Sequence, residues 1–488
     1  MIKAILNTFA NCFKIPELKS RIIFTVLVLA VCRMVALIPL PGLDGASLAQ
    51  FFEQNASKSG GLLGMYSLFT GGALERCAIG SLGIMPYISA TIIIQLLSAV
   101  IPQLSKLVRE EGGRVKIIQY GRYLTVLLCL GQGFFMALSW EHPEKVFGEE
   151  FAGNLVLMKN VWAYRIQTVI FLTAGTLVLM WLGEQITDRG IGNGVSLVIT
   201  IGIISRLPMA ATATWIKFFP PRGVPSNWNF FHAVLLILLM LGVVAAVIAV
   251  IQAQRKIPVQ YAQRAVGRKV YAGGTSFMPL RVNYAGVMPI IFAQAILMFP
   301  EKIFSTLAGL TRAGSPGFSK VCEAIYVQLQ YGNVTYLTLE GLMILFFTYF
   351  WVATQFNEIQ IADDLKKYGG YVPGVRPGQH TSDFLHRAMS RITLAGGIFL
   401  AVIAIIPTLL YKWVDVPFEI GQFFGGTSLL ITVGVMLDTM RQLESHLLMR
   451  PYDGFLKKGR VKGGLYVCIP WQRAVGPPRG PRSGHGAR

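Results

Sequence analysis

Gly60–Ile101 reads GGLLGMYSLFTGGALERCAIGSLGIMPYISATIIIQLLSAVI, and this stretch decides the fold. Two glycine pairs, Gly60–Gly61 and Gly71–Gly72, bracket Leu62–Thr70, in which Leu62, Met65, Tyr66 and Phe69 recur at i, i+3, i+4 and i+7, one apolar face of a helix. At 1.5 Å per residue such a helix covers roughly 13 Å, against a bilayer core of about 30 Å. After Glu75–Arg76 comes a full-length apolar run, Ile79–Ile101, which contains Pro86 and is expected to kink there. A half-helix therefore leads into a spanning helix. Interrupted backbone is tolerated at membrane depth only where it is buried in protein or lines a water-filled cavity, so a pathway is implied here.

The rest of the chain agrees. Its 488 residues are 53% hydrophobic and only 14% charged, and its apolar runs are long enough to span, the composition of a polytopic α-helical membrane protein. The first run begins near Ile22 and has no small-residue cleavage pattern behind it, so it is expected to be a retained helix. The six cysteines, Cys12, Cys32, Cys77, Cys129, Cys322 and Cys468, are scattered, without CxxC or a Cys/His cluster, so the residues call for neither metal nor cofactor.

Ten spans are expected, at 22–40, 78–101, 118–139, 163–183, 193–208, 231–252, 284–300, 338–356, 391–410 and 424–440. An even count puts both termini on one side. That side collects the cations, among them Lys106, Arg109, Arg114, Lys116, Arg255, Lys256, Arg281, Lys366 and Arg387, while the opposite stretch Trp140–Asn160 carries Glu141, Glu144, Glu149 and Glu150. Positively charged loops stay cytoplasmic, so both termini are expected inside and Leu62–Thr70 outside. Much of the net charge of +20 is then a topology signal, with anionic lipid as a natural partner.

Two cytoplasmic loops, 252–283 and 357–390, are longer than topology needs. The first interleaves Arg255, Lys256, Arg264, Arg268 and Lys269 with Val, Tyr and Gly; the second presents Arg376 among Pro373, Gly374, Pro377 and Gly378. A guanidinium on a tip set by Pro and Gly offers a rigid fork to carboxylates or phosphate, so a docking surface for a soluble partner is expected. Gly83-Ile84-Met85-Pro86 in the second span also recurs as Gly286-Val287-Met288-Pro289 in the seventh, five spans later. Two five-helix halves, inverted relative to one another, would produce that spacing and place the pathway at their interface.

Several segments resemble one family over nearly the whole chain: SLFTGGALERCAIGSLGIMPYISATIIIQLL at Ser67–Leu97, WLGEQITDRGIGNGVSLVI at Trp181–Ile199, LRVNYAGVMPIIFAQ at Leu280–Gln294, YVPGVRPG at Tyr371–Gly378 and GGTSLLI at Gly425–Ile431. They are similar to the SecY family of bacterial protein-conducting channels. The resemblance implies an all-α polytopic fold of ten transmembrane helices, in two pseudo-symmetric inverted halves (1–210 and 231–440, hinged through 211–230, with a cytoplasmic tail 441–488) around a central pore. It implies a plug at 60–72, carrying Leu62, Met65, Tyr66 and Phe69, and a pore ring of Ile84, Ile88, Val195, Ile199, Ile291 and Ile431. A lateral gate between spans two and seven would involve Pro86, Ser89, Asn283, Pro289 and Gln294, with Ser89 and Asn283 able to hydrogen-bond across it, and Arg76 would stand at the external mouth. Implied partners are small SecE-like and SecG-like membrane subunits, the SecA ATPase and the ribosome on the two long loops, and signal peptides and nascent membrane proteins as clients, in the inner membrane of a bacterium. Asn357-Glu358-Ile359 departs from the Asn-Pro-Arg common at that place, and Leu465–Arg488 extends beyond the usual end.

The ring makes physical sense without the family, because Ile84/Ile88 and Val195/Ile199 are i, i+4 pairs, each on one helix face. Aliphatic constrictions gate by dewetting, since ions lose hydration there without gaining replacement ligands. An ion-coupled secondary transporter would equally suit broken helices and repeats, but it needs carboxylates along the route, and the spans are expected to offer only Asp438. No nucleotide-binding, HExxH or nucleophile–base motif suggests an enzyme. Arg33, inside the first span, either snorkels or binds a carbonyl.

Overall fold

The computed structural model describes residues 15–54, 66–67, 69–110, 112–141, 143, 155–219, 230–261, 264–266, 269–271, 274–311, 316–330, 332–413, 420–421 and 427–448. Helices dominate. In chain order they are α1 (Pro16–Val35), α2 (Gly45–Gln54), α3 (Met85–Val100), α4 (Pro102–Arg109), α5 (Gly113–Glu141), α6 (Val161–Arg189), α7 (Gly194–Ile204), α8 (Leu207–Phe218), α9 (Phe230–Gln252), α10 (Met288–Thr311), α11 (Pro316–Leu329), α12 (Val334–Gln355), α13 (Glu358–Lys367), α14 (Gln379–Trp413) and α15 (Thr427–Leu448). Each expected span contains helix, though 36–40, 78–84 and 284–287 lie outside the helices. Six of these segments are long and apolar enough to cross a membrane; the apolar parts of α3 and α10, Met85–Ser98 and Met288–Leu297, are shorter.

Local chemistry sets where helices begin. Asn160, Asn193 and Asn357 cap α6, α7 and α13, their side chains accepting from Ala163 N, Ser196 N and Gln360 N at 3.4, 3.3 and 3.2 Å. Proline occupies the first turn of α1, α3, α4 and α8, where its missing N–H would have had no intrahelical partner. The same rule corrects one expectation. Pro86 does not kink a helix running from 78; it starts α3, because 78–84 is a compact turn around Gly80 and Gly83. Pro289 likewise sits at the start of α10, and the proline inside that helix, the one able to bend it, is Pro300. Both copies of the Gly-x-Met-Pro repeat thus fold alike. Gly83 and Gly286 have φ of 59° and 64°, and a helix starts two residues on in each case.

By contact, α1, α3, α5, α6 and α7 pack among themselves, as do α9, α10, α12, α14 and α15; the two groups meet where α3 packs on α10 and α7 on α15. Bidentate ion pairs tie α5 to α6 at both ends, Arg122 to Glu184 and Arg165 to Glu141, each with a closest approach of 2.8 Å. One buried apolar cluster runs through both groups, drawing on α1, α3, α6, α7, α9, α10, α12, α14 and α15.

The long loop 252–283 is not irregular. It forms β1 (Gln254–Tyr261) and β4 (Thr275–Arg281), an antiparallel pair in register from Gln254↔Arg281 to Gln260↔Thr275, with a smaller pair, β2 (Arg264–Val266) and β3 (Lys269–Tyr271), beyond it. The fold is therefore helical with a small β appendage. The second long loop supplies α13 and then β5 (Gly370–Tyr371), which pairs with β1 through Gln260 and Tyr261. Beyond those two residues β1 is an edge, so Pro258 costs it no ladder bond on that side. Ile257 and Val259 alternate inward on β1, and Ile257, Leu280, Val372 and Phe356 share one buried cluster that seats the sheet on the ends of α12 and α14.

Candidate functional site

The six ring residues come from α7, α15, the start of α10, and α3 with the turn leading into it, and they converge. Ile84, Ile88, Ile199, Ile291 and Ile431 are all at most 3% exposed and belong to the central cluster, and Val195 packs against it. Four stretches carry them. Ile84 immediately precedes α3, Val195 opens α7 behind the Asn193 cap, and Ile431 lies in the first turns of α15.

Phe69 joins the same cluster, which puts the end of the plug segment against the ring. Tyr66, Ser67, Phe69 and Thr70 are helical, and Tyr66 packs on a second cluster built around Leu48, Phe52 and Trp140; Leu62 and Met65 lie outside the described residues. What holds this segment is polar as well as apolar. Ser67 Oγ donates to Glu75 Oε1 at 2.7 Å, and the Arg206 guanidinium, between α7 and α8, bonds both Glu75 and Ser67. Arg33 Nη1 donates to Gly71 O at 3.1 Å, so Arg33 binds a carbonyl. Gly71, at φ 65°, lies so close to Gly202 of α7 that a Cβ on it would approach the Gly202 Cα to 2.9 Å. Arg76 itself is exposed beside this knot, and its charge acts on Arg33.

The Glu75–Arg206 side chains are only 15% and 13% exposed. Removing one member of a largely desolvated pair costs about 2 kcal/mol or more, which is roughly a thirtyfold change in an equilibrium. Glu75→Ala should therefore raise the displaced population of the plug by about that factor, read as brief openings in planar bilayers, and the double exchange Glu75→Arg with Arg206→Glu should restore quiet channels. Unaltered opening in the single variant would show that the pair does not hold the plug.

At the seam between α3 and α10, Pro86, Ser89, Pro289 and Gln294 are buried. Asn283 Nδ2 donates to Gly286 O at 2.9 Å, within its own turn, so the bond expected across the seam is here a local one that shapes the start of α10. Gln294 also turns away from the seam. Its Nε2 donates to Glu340 Oε1 on α12 at 3.3 Å. Glu340 corrects the expectation that Asp438 is the one carboxylate within the spans; α10 adds Glu301, also buried. A buried, helix-packed carboxylate is not a lining of an aqueous route, so an ion-coupling role gains nothing from it.

On the sheet, Arg255 and Lys256 are exposed on β1, and Arg376 is exposed beyond the turn Val372–Val375. That turn closes with Val375 N bonding Val372 O at 3.0 Å; Pro373 at its second position and Gly374 at φ 82° at its third make it type II. Thr381 Oγ1 bonds Arg376 O at 2.9 Å, fixing the backbone that carries the guanidinium. Arg264 and Lys269 lie on β2 and β3, and Arg268 is outside the described residues. Glu358, the departure noted above, sits in the first turn of α13 and pairs with His386 of α14 at 3.0 Å, a structural tie where the family commonly has Pro.

A bundle of this kind, with a short broken segment folded into its apolar centre, defines a polytopic helical membrane protein of the plugged-channel class. The SecY family profile matches residues 78–440, and the chain belongs to the SecY family. A protein translocase subunit SecY of Chlamydia trachomatis is 40% identical over 463 residues, 93% of this chain and 99% of its own. The corresponding subunit of Thermotoga maritima is 41% identical over 467 residues, 94% of this chain and 99% of its own. Among solved structures, one described as a protein-conducting channel superposes with a TM-score of 0.56 at 17% identity, over 90% of this chain and 94% of that one. Sec61 from a canine ribosome–channel complex gives 0.54, also at 17% identity with the same coverage.

Proposed function

We propose that this chain is the pore subunit of a bacterial preprotein translocase: a passive channel that passes secretory polypeptides across the cytoplasmic membrane and releases transmembrane segments sideways between α3 and α10. It is not an enzyme; the work is done by partners. The single observation carrying the reading is the convergence of six aliphatic residues from four separated stretches, five of them in one buried cluster that also contains Phe69 of the plug and the sixth, Val195, packed against it. A ring of this chemistry blocks hydrated ions by dewetting, while an unfolded chain displaces branched side chains.

The two halves, 1–210 and 231–440, move about the connection 211–230 and carry the ring apart. Arg255 and Lys256 are exposed on β1 and Arg376 is exposed just past β5, the strand that pairs with β1, which supports docking of a cytoplasmic motor, the ribosome or SecA, on that face. The cations at that end of the spans favour a multi-pass topology with both termini in the cytoplasm of a bacterium and anionic lipid around the cytoplasmic rim. The lipid-exposed faces of α1 and α5, with Val26, Leu27, Leu127 and Phe135 bare, leave room for small SecE-like and SecG-like helices.

Ile88→Asn or Ile291→Asn would hydrate the constriction. Single-channel recording of the resting protein should then show a persistent ion leak that the parent lacks. If both variants fold and remain silent, the ring is not the barrier.

A further inference from the structure

Gln294 and Glu340 are 2% and 1% exposed, and one hydrogen bond joins them, from Gln294 Nε2 to Glu340 Oε1. Each side chain retains one further buried oxygen without a partner: Gln294 Oε1 and Glu340 Oε2. With an ionised carboxylate both of those oxygens are acceptors, and neither can satisfy the other. The charge would also lack compensation. Among the described residues no Lys, Arg or His forms an ion pair with Glu340, and Ile344 and Phe347, which follow it on α12, belong to the apolar cluster, as do Ile291 and Phe292 before Gln294 on α10. An isolated buried charge is costly enough that such a group neutralises instead.

One proton removes both deficits. We propose that Glu340 is held as the neutral carboxylic acid and closes a two-bond ring with Gln294: Glu340 Oε2–H donates to Gln294 Oε1, while Gln294 Nε2–H donates to Glu340 Oε1. A closed acid–amide ring fixes two helices in register as a single bond does not. It fastens α10 to α12, so that α10 leaves α3 as part of a block and does not peel off alone. This last step rests on the reading of the α3–α10 seam as the gate; the ring itself does not.

Infrared spectroscopy of the purified protein in lipid bilayers tests the ring directly. The difference between the parent and Glu340→Gln at neutral pH should contain the loss of one protonated-carboxyl C=O band, with translocation unchanged, because an amide in place of the acid supplies both bonds. Loss of a carboxylate band instead overturns the proposal. Where Glu340→Gln does not fold, Gln294→Leu serves: the acid band should shift upward in frequency as its acceptor disappears, and an unshifted or missing band overturns the ring. Crosslinking Phe292→Cys to Phe347→Cys, whose parent rings stand 5.9 Å apart on the same two helices, should leave translocation intact. A block from that crosslink would overturn the coupling of α10 to α12, whereas free passage with α3 crosslinked to α10 would remove the gate reading and leave the ring standing.

Discussion

Joining α3 to α10 through a disulfide will stop polypeptide passage, and reducing the bond will restore it. The expected pairs lie between Ser89 and Leu96 on α3 and between Ile290 and Leu297 on α10, in a background without the six native cysteines. The two helices pack directly, so pairs should form at rest. Most of what faces the seam is apolar, and Asn283 and Gln294 spend their described hydrogen bonds on Gly286 and Glu340, within the second half. Little polar adhesion is left across the seam. Its closed state rests on apolar contact, and a client's hydrophobic segment, which gains several kcal/mol on moving from water to lipid, competes for that same contact. The disulfide replaces a displaceable contact with a covalent one, so both secreted and membrane-inserted clients should stall. Efficient crosslinking with undiminished secretion would mean that the chain passes without parting this seam.

Arg376→Glu should abolish motor-driven translocation while leaving the resting channel closed. The type II turn at Val372–Val375, the Thr381 bond to the Arg376 carbonyl and the pairing of β5 with β1 hold the residue in place before any partner arrives. Preorganisation lowers the ordering cost of docking. Losing a charge-paired anchor costs about 2 kcal/mol or more, and reversing it adds repulsion from the same partner carboxylates. The measurement is ATP- or ribosome-dependent transport into vesicles, beside single-channel recording of the same preparation. Transport at the parent rate would reduce Arg376 to a topology anchor. β4 ends at Arg281, seven residues before α10, so a short connection links the sheet to the seam.

Much of this was legible in the chain because membrane sequence is constrained by length. Ten apolar runs, their basic flanks and a run too short to span are properties of composition along a line, and the bilayer converts them into helices with little room for alternatives. The ring was legible only as spaced aliphatic pairs, Ile84/Ile88 and Val195/Ile199, and as a family resemblance, because nothing in the spacing says that residues from spans two, five, seven and ten meet. The β1–β4 pair was missed for a local reason: its basic residues interleaved with Val, Tyr and Gly suggested a docking loop, and strand pairing is set by a partner stretch some twenty residues away. Glu340 was passed over in a mostly apolar run. A single carboxylate barely changes average hydropathy, yet it dominates the local energetics once buried.

The chain by itself determined the polytopic helical class, the number and place of the apolar segments and the break before α3, because each depends on the transfer of consecutive residues into lipid. Tertiary structure alone decided that Glu75 meets Arg206 and Ser67, that Arg33 caps the Gly71 carbonyl, that Gln294 faces Glu340 and not the seam, and that β5 joins the two long loops into one sheet. Apart from Glu75 and Ser67, eight positions apart, those are contacts between residues tens to more than a hundred positions apart. Their partners are chosen by packing and by the need of each buried polar group for a donor or acceptor, and that choice exists only after the helices have come together.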